Sequence, residues 1–319
     1  MNKMKPPVIV LIGPTAVGKT KLSVMLAEHL NAEIISGDSM QIYKRMDIGT
    51  AKIREEEMNG VPHHLIDIKE PTESFSVAEY QEIVRQKIAE IDRRGKLPMI
   101  VGGTGLYIQS VLYDYSFTEE AGDPEFRAEM EALSAKRGAE YVHGLLKERD
   151  PEAARAIHPN NKRRVIRALE ILHTTGKTMS EHMEGQRKEL LYTTALIGLT
   201  MEREVLYDRI NRRVDQMMDE GLLDEGLLDE VKQLYDENVR NCQSVQAIGY
   251  KELYGHLEGR ASLEEAVETL KRNSRRYAKR QLTWFRNQMD VAWFDMTPPV
   301  NIEQKKQEIF TYIAGKLEL

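Results

Sequence analysis

The octapeptide Gly13-Pro14-Thr15-Ala16-Val17-Gly18-Lys19-Thr20 follows directly on the apolar run Val8-Ile9-Val10-Leu11-Ile12 and matches the phosphate-loop spacing G-x-x-x-x-G-K-T at every position. A chain carrying this run must deliver a strand into a tight turn and the turn into a helix. The glycines let successive amide hydrogens point inward, and the helix adds its positive N-terminal end to the same spot. The helix itself is legible, because Leu22, Met25, Leu26 and Leu30 recur at helical spacing. Lys19 is placed to pair with phosphate oxygens, and the Thr20 hydroxyl to reach a Mg²⁺. The chain therefore reads as a binder of a di- or triphosphate.

Short β-type runs then alternate with helical patterns: 8–12, a helix from Lys19 to Leu30, 33–36, a helix over about 76–94, and 99–101. That alternation predicts an α/β fold, a P-loop-type parallel sheet core flanked by helices, with ligands at the carboxyl ends of the strands. From Asp123 to about Gly176 the β signal vanishes. Asp123-Pro124-Glu125 and Asp150-Pro151-Glu152 each read as N-cap, first helical position and acidic first turn, while Gly138 and Gly176 read as stops. The expectation is an all-helical insertion domain over 119–190 within a catalytic core made of 1–118 and 191–319. Ala195-Leu196-Ile197-Gly198-Leu199 resumes the sheet after the insertion, and Val291-Ala292-Trp293-Phe294 extends its far side. One internal repeat stands out: Gly221-Leu222-Leu223-Asp224-Glu225 recurs at once as Gly226-Leu227-Leu228-Asp229-Glu230. Five helical residues advance about 500°, so the two leucine pairs cannot share one narrow face, and the helix is expected to break near Gly221 or Gly226.

Composition narrows the partners. No apolar stretch approaches the roughly 18 residues that a membrane span needs, and a cytoplasmic protein with no membrane partner is expected. The single Cys242 rules out an internal disulfide or a cysteine-based zinc cluster. The net charge of −6 is unevenly spread: from Lys271 to Arg286 there are seven basic residues and no acidic one. Wound as a helix, Lys271, Arg272, Arg275, Arg276, Lys279 and Arg280 fall within about 180° of arc, with Leu270, Tyr277, Trp284 and Phe285 largely opposite. A second cluster, Lys162-Arg163-Arg164 with Arg167, opens a helix of the insertion. A solvated surface would explain either cluster alone, but two of them suit a folded RNA better than a small metabolite.

Near the phosphate loop, Ser36-Gly37-Asp38-Ser39-Met40-Gln41 ends the second strand and places a carboxylate at the sheet edge, where an acid–base group would meet the acceptor. Ser39 and Gln41 supply neutral donors and acceptors. Gly102-Gly103-Thr104-Gly105-Leu106-Tyr107 forms a second glycine-rich turn, expected to wall the same cleft with Thr104 pointing in. Met99-Ile100-Val101-Gly102 lacks the strand-end Asp by which NTP-hydrolysing members of this architecture hold Mg²⁺, so the loop fits a diphosphate leaving group better than a motor. His63, His64 and His158 have no ligand set around them and read as structural or RNA-proximal.

Taken together with Tyr43, Met46-Asp47-Ile48-Gly49-Thr50-Ala51-Lys52, His158-Pro159-Asn160, Arg167-Ala168-Leu169-Glu170, Gly249-Tyr250 and Lys279-Arg280-Gln281-Leu282-Thr283-Trp284-Phe285-Arg286, these motifs make the chain resemble the tRNA dimethylallyltransferase (tRNA isopentenyltransferase) family over nearly its whole length. The resemblance implies that Gly13, Pro14, Thr15, Ala16, Val17, Gly18, Lys19 and Thr20 hold the diphosphate of dimethylallyl diphosphate, with Thr20 on Mg²⁺. It implies that Asp38 takes a proton from the exocyclic amine of the adenine just 3′ of the anticodon, and that Thr104 and Arg127 act on the tRNA near the reaction centre. It also implies tRNA contacts from four segments: Asp38, Ser39, Met40 and Gln41; Arg163, Arg164, Val165, Ile166 and Arg167; Gln246, Ala247, Ile248, Gly249, Tyr250 and Lys251; and Lys279, Arg280, Gln281, Leu282, Thr283, Trp284, Phe285 and Arg286. Val17 departs from the small Ser often found there, harmlessly where the loop acts through its backbone.

The same loop also serves ATP-dependent kinases of small metabolites, the leading rival, which leaves both basic clusters without a role. A transferase acting on free adenine nucleotides and a non-enzymatic RNA-binding module are weaker rivals. A monomer is expected, since the sequence carries no long heptad repeat.

Overall fold

The computed structural model of the protein describes residues 5–115, 122–184, 189–219 and 226–319. The chain folds into two compact units, one made of 1–112 with 190–319 and the other of Tyr113–Glu189.

The larger unit is built on a six-stranded, all-parallel sheet: β1 (Pro7–Ile12), β2 (Ala32–Gly37), β3 (His63–His64), β4 (Leu97–Gly102), β5 (Thr193–Thr200) and β6 (Ala292–Asp295), in the order β3-β2-β4-β1-β5-β6. β1 lies between β4 and β5, and Val8, Ile9, Val10, Leu11 and Ile12 are all fully buried. That position explains the unbroken apolar run, because a central parallel strand has no solvent face and therefore no alternation. The two-residue edge strand β3 had no signal in the sequence. It is held from its side chains: His64 Nε2 lies 2.7 Å from the buried Glu33 carboxylate, which also receives Arg94 at 2.6 Å and Lys96 at 3.2 Å.

Helices α1 (Lys19–Leu30), α2 (Val77–Arg93) and α3 (Gly105–Leu112) follow β1, β3 and β4. Strand-to-strand crossovers of this kind place the ends of β1, β2 and β4 on one edge of the sheet, where the phosphate loop, Asp38 and Thr104 emerge. β2 and β4 converge there: Gly37 pairs with Gly102, and a Cβ built on Gly102 would run into the Gly37 backbone.

The smaller unit contains α4 (Pro124–Arg137), α5 (Ala139–Arg149), α6 (Pro151–Ala156), α7 (Lys162–Thr175) and α8 (Met179–Glu184). Its core gathers Met130, Val142, Leu146, Val165, Ile166 and Leu169. The caps fall where the sequence places them. Asp123 accepts the amides of Glu125 and Phe126, each at 3.0 Å, Asp150 accepts that of Ala153 at 3.0 Å, and Gly176 closes α7 at φ 70°.

After β5 the chain forms α9 (Arg203–Asp219), α10 (Leu227–Asp236), α11 (Tyr250–Leu257), the 26-residue α12 (Leu263–Gln288) and, beyond β6, α13 (Ile302–Leu317). The helix does break at the duplicated pentapeptide. Gly226 is the extended N-cap of α10, its amide accepted by Asp229, while the first copy lies outside the described residues. Among the described residues no helix is long and apolar enough to cross a membrane.

Candidate active site

The turn from β1 into α1 is shaped by positive φ at Gly13 (157°), Ala16 (64°) and Gly18 (100°). Gly18 is a left-handed N-cap with no side-chain cap on the amides behind it, and the first turn of α1 carries no acidic residue. Those amides are therefore free to receive an anion. A Cβ on Gly13 would lie 2.9 Å from the carbonyl oxygen of Leu199, so this glycine is required by space as well as by φ. Pro14 and Val17 are buried, Thr15, Ala16 and Lys19 half-buried, Gly18 and Thr20 exposed. The Lys19 ammonium bridges the loop by donating to the carbonyl oxygens of Gly13 (2.9 Å) and Pro14 (2.7 Å). Burial, reinforced by the Arg213 guanidinium and opposed by Asp38, lowers its pKa to about 8.

Asp38 follows the end of β2 and keeps only partial contact with solvent. Its Oδ1 accepts the Met40 amide at 2.8 Å, closing a local turn. Burial raises the pKa of this carboxyl, and the backbone hydrogen bonds and the charges of Lys19 and Arg213 only partly offset the rise. One carboxylate thus stands within the field of two cations at the mouth of the phosphate loop.

Thr104 braces that turn. Its amide donates to the Gly37 carbonyl (3.2 Å), and its hydroxyl accepts the Ser39 amide (3.2 Å) and lies 3.4 Å from the Ser39 hydroxyl. Gln41 Nε2 donates to the carbonyls of Thr50 (3.2 Å) and Ala51 (3.3 Å), and its Oε1 accepts from the Ser36 hydroxyl at 3.0 Å. Gln41 is thereby committed within the loop. α12 closes the other side of the Gly102–Gly105 turn: Gln281 Nε2 donates to the Gly103 carbonyl at 3.0 Å, and the Trp284 ring occupies the space a Cβ on Gly105 would need.

Along α12 the basic face is divided in its work. Lys271 pairs with Asp215 at 2.7 Å, and Arg275 donates to Asn211 at 2.5 Å, so these two tie α12 to α9. Arg276, Lys279 and Arg280 are exposed, with no carboxylate within ion-pair distance among the described residues. Within 279–286, Lys279, Arg280, Thr283 and Arg286 face solvent, Leu282 and Trp284 are half-buried, and Gln281 and Phe285 are buried. Between 246 and 251 only Gln246 and Lys251 are exposed; Ala247, Gly249 and Tyr250 are buried and Ile248 half-buried. The side chains of Val165 and Ile166 belong to the core of the smaller unit, and its surface there is made by Arg163, Arg164 and Arg167. For the two helical segments, 163–167 and 279–286, helical periodicity is the reason: a contiguous stretch of helix presents only about half its side chains to any one partner.

Arg127 lies in α4 of the smaller unit. Its Nε pairs with Glu170 at 2.6 Å, and Arg167 Nη1 pairs with the other oxygen of the same carboxylate at 2.7 Å. Glu170 itself is fully buried and also accepts the Asp123 amide at 2.8 Å.

Arg213 escaped the sequence reading, although a signal was present. It lies three residues after Ile210 and seven after Leu206, the buried positions of α9, so a cation was due on an apolar stripe. Tyr277, on the same helix as Gln281, is a second such residue; burial pushes its hydroxyl up to about 12, with the Asp38 charge acting in the same direction.

A family model described as IPP transferase matches residues 41–288. The chain belongs to the IPP transferase family. It is 96% identical over 319 residues to the tRNA dimethylallyltransferase of Bacillus licheniformis and 70% identical to that of Bacillus subtilis, each alignment covering 100% of both chains. Among solved structures, the full-length tRNA isopentenylpyrophosphate transferase of Bacillus halodurans matches with TM-score 0.74 and 58% identity, covering 98% of this chain and 97% of that one. A eukaryotic dimethylallyltransferase acting on tRNA matches with TM-score 0.79 and 32% identity over 95% of this chain and 77% of that one.

Proposed function

We propose that the protein transfers a dimethylallyl group from dimethylallyl diphosphate to the exocyclic amine of the adenine next to the anticodon on its 3′ side in tRNA, releasing diphosphate. The observation that carries this reading is the half-buried Asp38 carboxylate facing Lys19 and Arg213 beside an open phosphate loop, in a chain of this family. The bond from the allylic carbon to the diphosphate oxygen breaks, the amine nitrogen forms the new bond, and the departing proton passes to Asp38. Negative charge grows on the diphosphate, and the loop amides, Lys19 and Arg213 lie where they stabilise it. The amine becomes acidic only as the new bond forms, so a carboxylate is base enough.

A Mg²⁺ fits the donors present. Thr20 offers an exposed hydroxyl at the start of α1, and a hard ion that keeps several waters needs little more from the protein once diphosphate oxygens are there. When bound, the ion neutralises charge on the leaving group. The exposed Lys279, Arg280 and Arg286 of the larger unit, and the exposed Arg163 and Arg164 with the half-buried Arg167 of the smaller one, supply phosphate contacts for the tRNA.

The test is incubation with Mg²⁺, dimethylallyl diphosphate and a tRNA whose anticodon is followed by adenine, with the RNA then weighed by mass spectrometry. One five-carbon unit on that adenine is expected; ATP consumption on a small acceptor with no change in the RNA would hand the chain to the kinase reading.

Lys19 adds a pH signature. An ammonium titrating near 8 binds diphosphate as a cation below that pH and loses its charge above it. The affinity advantage of wild type over Lys19→Met, measured calorimetrically with inorganic diphosphate, is therefore expected to shrink as the pH rises through about 8. A constant ratio would place the charge elsewhere.

A further inference from the structure

Glu230, the half-buried last residue of the second pentapeptide copy, does something that the repeat does not explain. Its carboxylate accepts three consecutive backbone amides, those of Asp47 (2.7 Å), Ile48 (2.8 Å) and Gly49 (3.1 Å), and the buried Tyr250 hydroxyl at 2.5 Å. Residues 47–52 form a single turn, with Ala51 N donating to Ile48 O and Lys52 N to Asp47 O, each at 2.9 Å. The amides at the start of such a turn have no partner inside it, so a carboxylate from α10 plays the part of an N-cap across a gap of more than 180 residues in sequence. Gly49 is required at the junction, since a Cβ there would lie 2.5 Å from the Tyr250 ring.

The far end of the same turn holds the catalytic loop. Thr50 and Ala51 give their carbonyls to Gln41, Gln41 takes the Ser36 hydroxyl, and the Ser36 hydroxyl accepts the Asp38 amide at 3.4 Å. We infer that Glu230 is a positioning residue for Asp38: by fixing the 47–51 turn it fixes Gln41 and with it the Asp38 turn, and through Tyr250 it ties that assembly to the 246–251 segment. The phosphate loop hangs from β1 and takes no part in this chain of bonds, so the base is held separately from the leaving-group site. The inference rests on the proposed function for Asp38's role as base, but the contacts themselves do not.

Glu230→Gln keeps the shape while losing the charge and one acceptor oxygen; Tyr250→Phe removes only the hydroxyl. Hydrogen–deuterium exchange is measured first, on wild type and both variants without substrate. In Glu230→Gln, faster exchange is expected at 47–49 and also at 38–41, with 13–20 unchanged; acceleration confined to 47–49 would overturn the coupling. Single-turnover transfer is measured next, because that rate constant does not depend on the folded fraction. For Glu230→Gln a fall of about tenfold or more is expected, with the dissociation constant for inorganic diphosphate within about twofold of wild type, and a smaller fall for Tyr250→Phe. A rate constant within twofold of wild type, or diphosphate affinity lost in step with the rate, would overturn the positioning role. A wild type inactive on tRNA would remove the proposed reaction, and the exchange data alone would then decide whether Glu230 governs the Asp38 turn.

Discussion

Asp38→Ala is expected to lower the rate of prenyl transfer by about 10²–10⁴-fold while leaving diphosphate binding close to wild type, as loss of a positioned general base does. Binding survives because the proposed anion seat, the backbone amides around Gly18 with Lys19 and Arg213, makes no hydrogen bond to the Asp38 side chain. Removing the carboxylate takes away one neighbouring anion but also the charge that holds the Lys19 pKa up, two opposed effects that should leave diphosphate affinity close to wild type. Asp38→Asn separates charge from shape: it preserves an oxygen for the Met40 amide and still loses the base. The pH profile carries the same signature. In the proposed reaction Asp38 acts ionised, and burial raises its pKa, so the acid limb of the wild-type rate should lie above the ordinary carboxylate value of 3.8, with activity gained as the pH rises through it. At subsaturating dimethylallyl diphosphate the basic limb should follow Lys19 near 8. Single-turnover rates by mass spectrometry, beside calorimetric diphosphate affinities, check both; an Asp38→Asn enzyme transferring at the wild-type rate would remove Asp38 from the mechanism.

Much of this arrangement is legible in the sequence alone. The phosphate loop, Asp38 and the Gly103–Thr104 turn each sit at a strand end within a dozen residues of a strong local signal, and parallel topology gathers such ends on one edge. The caps Asp123 and Asp150 were legible for the same reason, since a cap is a bond between near neighbours. What stayed hidden was made by contacts across long stretches of chain. Arg213 brings its charge into the field of Asp38 and Lys19 from α9, Glu230 reaches the 47–49 amides from α10, and β3 exists because His64 meets Glu33 and Pro62 lends its carbonyl to Ile34. The contiguous tRNA segments taken from the family resemblance show a different limit. A segment names a stretch of helix, whereas burial selects its members, keeping Val165, Ile166, Tyr250 and Phe285 inside and leaving the arginines and lysines outside.

Glu170→Ala is expected to cost about 2–3 kcal/mol of stability in the smaller unit, the range for losing hydrogen bonds to a charged group and stranding their partners. The carboxylate is fully buried, but Arg127 and Arg167 are nearly half exposed and can rehydrate, which keeps the cost below the roughly 3–5 kcal/mol typical of breaking a fully buried pair. The Asp123 amide loses its acceptor at the mouth of α4 as well. Hydrogen bonds from Arg167 and Arg127 hold the Glu170 pKa below its ordinary 4.5 against the opposing effect of burial. A depressed folded-state pKa means that the stabilisation is fully present above the unfolded value and is lost as the pH falls through the folded one. The difference between wild type and Glu170→Ala in chemical denaturation should therefore be constant near neutrality and close only below about pH 4.5. Function should follow along a separate line. One carboxylate fixes two guanidiniums that would otherwise repel each other, and freeing them should weaken tRNA binding about tenfold and flatten its salt dependence by roughly one to two phosphate contacts. Diphosphate affinity, set in the other unit, should not change. A Glu170→Ala protein with normal tRNA affinity but lowered stability would make the triad a structural clasp alone; loss of diphosphate binding in the same protein would mean that the two units do not hold their ligands independently.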